Sequence, residues 1–109
     1  MVLRAGFLFA SILLMTACGS DAAHKDAIPA ETPKEKGASL FILNCASCHG
    51  EDGKLGSSGA KDLSISKLND KEIEKIIREG KNAMPPQEAV LETEENIQLV
   101  IEHVKSLRK

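Results

Sequence analysis

Cys45-Ala46-Ser47-Cys48-His49 reads C-x-x-C-H. Two thiols three residues apart on one turn can each form a thioether with one of the two vinyl groups of a haem, and the next residue then lies beneath the ring with an imidazole nitrogen facing the iron. This is the spacing of c-type haem attachment. Three other chemistries use cysteines spaced this way. A structural zinc site needs four ligands, and the only other cysteine is Cys18, so His49 and the distant His103 would have to complete an improvised set. A thioredoxin-like redox pair wants a βαβ setting, which no part of this sequence suggests. A plain disulfide accounts for the two cysteines and for nothing downstream. The expected cofactor is therefore one covalent haem c, bound through Cys45 and Cys48, with His49 as the proximal iron ligand.

The residues on either side read as helices. Thr32-Pro33-Lys34-Glu35 has the form of a capping box with proline at the first helical position, which predicts a helix from about Pro33 to Asn44, ending at the motif. Leu68-Asn69-Asp70-Lys71-Glu72-Ile73 supplies an asparagine cap, a glutamate three residues on and a Leu68–Ile73 hydrophobic staple. Ile73, Ile76 and Ile77 then share a face, and Gly80 ends the helix in a left-handed conformation. A third helix starts near Thr93, with Glu94 and Glu95 at its positive end, Lys105, Arg108 and Lys109 at its negative end, and Ile97, Val100, Ile101 and Val104 as its buried stripe. No stretch alternates apolar and polar residues long enough for a sheet. The fold class is all-α, with three main helices.

Downstream of the motif the informative residue is Met84. Met1 and Met15 fall in an export segment, so Met84 is the one thioether of the mature chain. It sits in Gly80-Lys81-Asn82-Ala83-Met84-Pro85-Pro86, where two prolines fix φ and exclude helix. A stiff loop can hold a weak ligand at an iron against water, whereas the competing role for Met84 is as a flexible filler of the core. Its position predicts the distal iron ligand.

At the other end, Arg4 precedes an uncharged run, Ala5 to Ala17, that is too short to span a bilayer as a helix and has the layout of a secretory signal peptide. Leu14-Met15-Thr16-Ala17-Cys18-Gly19-Ser20 resembles a bacterial lipobox, which implies that Cys18 is lipidated and becomes the mature N-terminus. Residues 18–32, rich in small, charged and proline residues, read as a flexible tether. His24 in that tether is assigned no role. The expected organisation is a signal peptide at 1–17, a lipidated Cys18 and tether at 18–32, and the domain at 33–109.

Composition narrows the function. Acids outnumber bases 16 to 14, so there is no electrostatic footprint for a nucleic acid. Aromatics are 3% of the chain, all Phe, and a domain of about 70 residues is near the size at which a lone apolar core barely offsets chain entropy. A bound prosthetic group would fill that centre.

Residues 33–109 together resemble a small class I c-type cytochrome of the single-haem kind found in bacterial respiratory chains. Gly37 and Phe41 match the crossing of the first and last helices, Gly50-Glu51-Asp52-Gly53-Lys54 the turn after the attachment site, Gly80 and Met84-Pro85-Pro86 the distal loop, and Leu99 to Leu107 the closing helix. Two positions depart from the family. His103 stands where a Tyr or Trp is usual, which makes its ring a half-exposed substitute for an aromatic. Lys61, in Ala60-Lys61-Asp62-Leu63, replaces a frequent proline near the carbonyl that accepts the proximal histidine's Nδ1 proton, and leaves that partner of His49 open.

Histidine and methionine on both axial positions leave no open site, and a thioether favours ferrous iron. The expected function is a membrane-tethered, single-haem electron carrier, not an enzyme. It would be exported to the periplasm or its extracytoplasmic equivalent, held by its N-terminal lipid, monomeric, and engaged with redox protein partners. Two alternatives stay open: a haem subunit permanently bound to a larger oxidoreductase, and a haem ligand sensor or peroxidase in which Met84 is labile.

Overall fold

The computed structural model describes residues 29–109. The export segment, Cys18, His24 and the tether as far as residue 28 lie outside the described residues.

Helix α1 (Pro33–Asn44) starts as its cap dictates: Thr32 Oγ1 accepts from Glu35 N, and the Glu35 carboxylate accepts from Thr32 N at 2.8 Å. Such a cap contributes on the order of 1 kcal/mol. A second, four-residue helix, α2 (Ala46–His49), follows directly, with Cys45 as the hinge between the two. Two 3-10 turns, Ser57–Gly59 and Leu63–Ile65, carry the chain to α3 (Asp70–Glu79). Asn69 caps α3 through a complete box with Glu72. After the Met84 loop come a short α4 (Glu88–Leu91) and the closing helix α5 (Glu94–Ser106), capped by Thr93 Oγ1 on Asn96 N.

The core is where α1, α3, α4 and α5 meet. Phe41, Leu91, Ile97, Val100 and Ile101 are almost fully enclosed, with Ile73, Ile77 and Val104 beside them. Burial of each large apolar side chain contributes roughly 1.5–3 kcal/mol. Helices α1 and α5 cross with backbones nearly touching, because a Cβ on Gly37 would lie 2.5 Å from the Leu99 carbonyl oxygen. One turn further along the same seam, the His103 ring stands 4.9 Å from that of Phe41, tilted by 44°. His103 is half-buried, and so takes the aromatic's place as expected.

Three details differ from the sequence reading. Gly80 ends α3 with positive φ but an extended ψ, +75° and 172°, a region open essentially to glycine and not the left-handed helical cap. Arg108 and Lys109 lie beyond α5, and they reach sideways: Arg108 Nη2 donates to the Leu68 carbonyl at 2.6 Å, and Lys109 N to the Ser64 carbonyl at 3.2 Å. Finally, α4 and its core residue Leu91 have no counterpart in the sequence expectations. Among the described residues the only β-type pairing is an isolated bridge between Lys81 and Met84.

Candidate haem site

The attachment motif is one continuous turn. His49 N donates to the Cys45 carbonyl at 3.0 Å, Cys48 N to the same oxygen at 3.2 Å, and Gly50 N to the Ala46 carbonyl at 2.8 Å. Both thiols are free. Cys45 packs against the apolar core, and burial, with Cys48 beside it, pushes its thiol up to about 11. A redox-active C-x-x-C pair relies on a depressed thiol pKa to expose a thiolate, which the buried Cys45 lacks. Among the described residues no three His, Cys, Asp or Glu side chains converge as a metal cluster, which removes the improvised zinc set.

His49 has its orientation fixed by backbone. Its Nδ1 donates to the Lys61 carbonyl at 3.1 Å, which fixes the tautomer and leaves Nε2 with the lone pair free for a ligand bond. The position whose side chain departs from the family supplies the partner through its main chain. That carbonyl is held by its neighbours. Asp62 Oδ1 accepts from both Ser64 N at 2.8 Å and Ser64 Oγ at 2.6 Å, and Leu63 N donates to the Gly53 carbonyl at 2.8 Å. The Ser64 hydroxyl and amide hold the Asp62 carboxyl below the usual carboxylate range.

Met84 is half-buried and closes a tight four-residue turn: Lys81 N donates to the Met84 carbonyl and Met84 N to the Lys81 carbonyl, both at 3.0 Å. Asn82 takes the positive φ that the turn requires, +56°. A Cβ on Gly80 would meet the Met84 carbonyl oxygen at 2.4 Å, so glycine is needed there for both space and φ. Gln87 N then donates to the Ile77 carbonyl at 2.8 Å, returning the loop to α3.

These residues fit a c-type haem. The donor set is two thiols on one turn, an imidazole with one nitrogen already committed, and a thioether on a braced loop. Leu55, whose amide donates to the His49 carbonyl, and Ile65, just after the Lys61–Asp62 segment, are 60% and 72% exposed. They are apolar surface that a flat macrocycle would cover.

Sequence reasoning did not single out Arg78. Its guanidinium joins Glu74 at 2.9 Å, Glu88 at 2.6 Å and Glu94, one carboxylate from each of α3, α4 and α5. The three acceptors raise its affinity for its proton. No local motif announces it, because two of the partners come from other helices.

A small all-helical domain built around a C-x-x-C-H turn, with a braced methionine loop between α3 and α4, is a class I c-type cytochrome fold. The family model described as "Cytochrome C oxidase, cbb3-type, subunit III" matches residues 32–104, and the chain belongs to this cytochrome c family. Its cofactor is accordingly covalently bound haem c. The chain is 33% identical over 82 residues to cytochrome c-551 of Bacillus subtilis, a match covering 71% of this chain and 72% of that protein. It is 47% identical over 45 residues to the cbb3-type cytochrome c oxidase subunit FixP of Azorhizobium caulinodans, covering 40% of this chain but only 14% of FixP. Among solved structures, the KustC0563 c-type cytochrome superposes with a TM-score of 0.61 at 28% identity, over 67% of this chain and 98% of that one.

Proposed function

We propose that this chain is a membrane-tethered carrier of single electrons between respiratory-chain components, and not an enzyme. In this reading Cys45 and Cys48 hold the haem by thioethers, His49 is the proximal ligand and Met84 the distal one. The observation that carries it is the pairing of a committed imidazole with a braced thioether: His49 Nδ1 on the Lys61 carbonyl, and Met84 in the closed Lys81–Met84 turn. The bound haem supplies a one-electron iron couple. The Lys61 carbonyl keeps His49 in one tautomer, while the Gly80–Gln87 loop holds Met84 in place and denies the distal position to water. With both axial positions filled by side chains, such a centre exchanges electrons and has no open site for substrate.

The organisation proposed with it is a signal peptide at 1–17, lipidated Cys18 and tether at 18–32, and the cytochrome domain at 33–109, working outside the cytoplasm. Among the described residues no helix is long and apolar enough to cross a membrane; in this reading the attachment is a lipid on Cys18. An optically followed redox titration tests the carrier reading. Low-spin six-coordinate spectra are expected in both oxidation states; a resting high-spin ferric centre that reacts with peroxide would overturn it. Cys18→Ser is expected to release the protein from membranes with its haem spectrum unchanged.

The match to FixP and to the subunit III family model favours one second reading, a haem subunit bound permanently to a larger oxidoreductase. Purification in mild detergent separates the two. A carrier leaves the membrane complexes behind, whereas a subunit stays with one at fixed stoichiometry.

A further inference from the structure

The Met84 loop leaves α3 just after Arg78 and returns just before Glu88. Its neck carries two staples. One is backbone, Gln87 N on the Ile77 carbonyl; the other is the Arg78–Glu88 ion pair across the same gap. Arg78 does more than close the neck. Its Nε faces Glu74 on α3, its Nη1 faces Glu88 at the start of α4, and its Nη2 faces Glu94 at the start of α5. One planar fork thus ties the helix before the loop to both helices after it. The Arg78 side chain is 25% exposed, with Glu74 at 31% and the outer carboxylates Glu88 and Glu94 more open at 59% and 63%; what sets it apart from a single surface pair is that three carboxylates converge on one planar fork.

We propose that Arg78 is the positioning residue for Met84, setting how readily the methionine leaves the iron. The proposal rests on Met84 being the distal ligand. A ligand from solution binds only when Met84 is away, so its apparent affinity is its intrinsic affinity multiplied by the fraction of molecules whose loop is open. Arg78 lowers that fraction by coupling loop opening to the rupture of its bonds to Glu88 and Glu94, the two carboxylates on the far side of the loop. Lysine keeps the charge but cannot present three donors in one plane, so the geometry of the fork is what matters.

The test uses the full haem-loaded chain in its oxidised form, imidazole as the probe, and amide hydrogen exchange at Met84 and Gln87 as a second readout. Variants are Arg78→Gln, Arg78→Lys and the milder Glu88→Gln, which removes one carboxylate charge and keeps the cation. Lys105→Gln is the control. It breaks another interhelical ion pair, Lys105 with Asp70 on α3 at 3.0 Å, together with the local pair to Glu102, and touches neither end of the loop. Arg78→Gln is expected to tighten imidazole binding about tenfold and to speed exchange at both amides. Arg78→Lys should recover little of this, Glu88→Gln should show a smaller effect in the same direction, and Lys105→Gln should match the parent. Parent-like imidazole affinity in Arg78→Gln and Glu88→Gln overturns the proposal, as does an equal rise in Lys105→Gln, which would reduce Arg78 to general stabilisation. A parent that already binds imidazole as tightly as Met84→Ala overturns the ligand reading itself, and the proposal with it.

Discussion

The imidazole of His49 is held at 3.1 Å by the backbone of Lys61 and not by its side chain. The Lys61 side chain is exposed, so the contact that orients His49 is indifferent to what stands at position 61. Ala60 is already extended, at φ −57° and ψ 138°, the conformation a following proline demands. Lys61→Pro is therefore expected to keep the reduction potential and the spectrum, and to change stability by no more than about 1 kcal/mol. Thermal unfolding with a redox titration checks it; a shifted potential would show that the lysine side chain contributes.

Crossing geometry makes a second test. Gly37→Ala puts a methyl against a backbone oxygen, which cannot rotate aside as a side chain would. The helices must separate, at a cost of roughly 1–3 kcal/mol. Urea unfolding should show a lower midpoint with an unchanged slope.

Burial lowers the pKa of His103, which lies against Phe41 with Lys34 and Glu102 lining the same groove. Its folded pKa is below its unfolded one, so the unfolded chain takes up the proton first. The stability it lends is complete above about pH 6.5 and falls as pH drops below that value, until the folded form protonates too. His103→Phe should flatten this slope in the stability–pH curve. Glu35, Asp62 and Glu94, whose carboxyls are held low by hydrogen bonds, add a separate decline starting below about pH 4.5, which the variant should retain.

Met84→Ala should keep the haem attached while opening the distal position. Its reduction potential is expected to fall, and imidazole or cyanide should bind about 100-fold tighter or more. If the spectrum and potential stay those of the parent, His103 becomes the residue to test as ligand.

The thioethers can be tested by extraction. Acid-acetone should leave haem on the protein, and free haem in the organic phase would contradict attachment at Cys45 and Cys48. The double variant Cys45→Ala/Cys48→Ala should give a chain without a cooperative thermal transition, since so small a domain loses its central apolar filler.

What could be read from the sequence was what local chemistry encodes. Thr32 with Glu35 and Asn69 with Glu72 are complete boxes within four residues, and α1 and α3 begin where those boxes place them. Helix α4 was not legible because Gln87 makes no side-chain cap bond and the helix is a single turn. Its apolar residue Leu91 becomes core only once α5 folds over it. The acceptor for His49 was not legible either, since a carbonyl's direction depends on the path of the loop, and every residue offers one. In the sequence Arg78 is one of several charges on α3; what distinguishes it is that Glu88 and Glu94 arrive beside it from later in the chain.

Arg108 and Lys109, the last residues of the sequence, grip Leu68 and Ser64 in the segment that presents the Lys61 carbonyl. The attachment motif is continuous with α1, but this grip joins parts of the chain that are far apart in order of synthesis. A chain made from its amino end presents Cys45 and Cys48 before Arg108 has been added. In the proposed reading, attachment of the haem therefore needs nothing from Arg108 or Lys109, whereas the segment bearing the Lys61 carbonyl gains these two tethers only with them. Arg108→Ala should accordingly keep the haem attached while shifting the reduction potential; a parent-like potential would show that His49 is set without the far end.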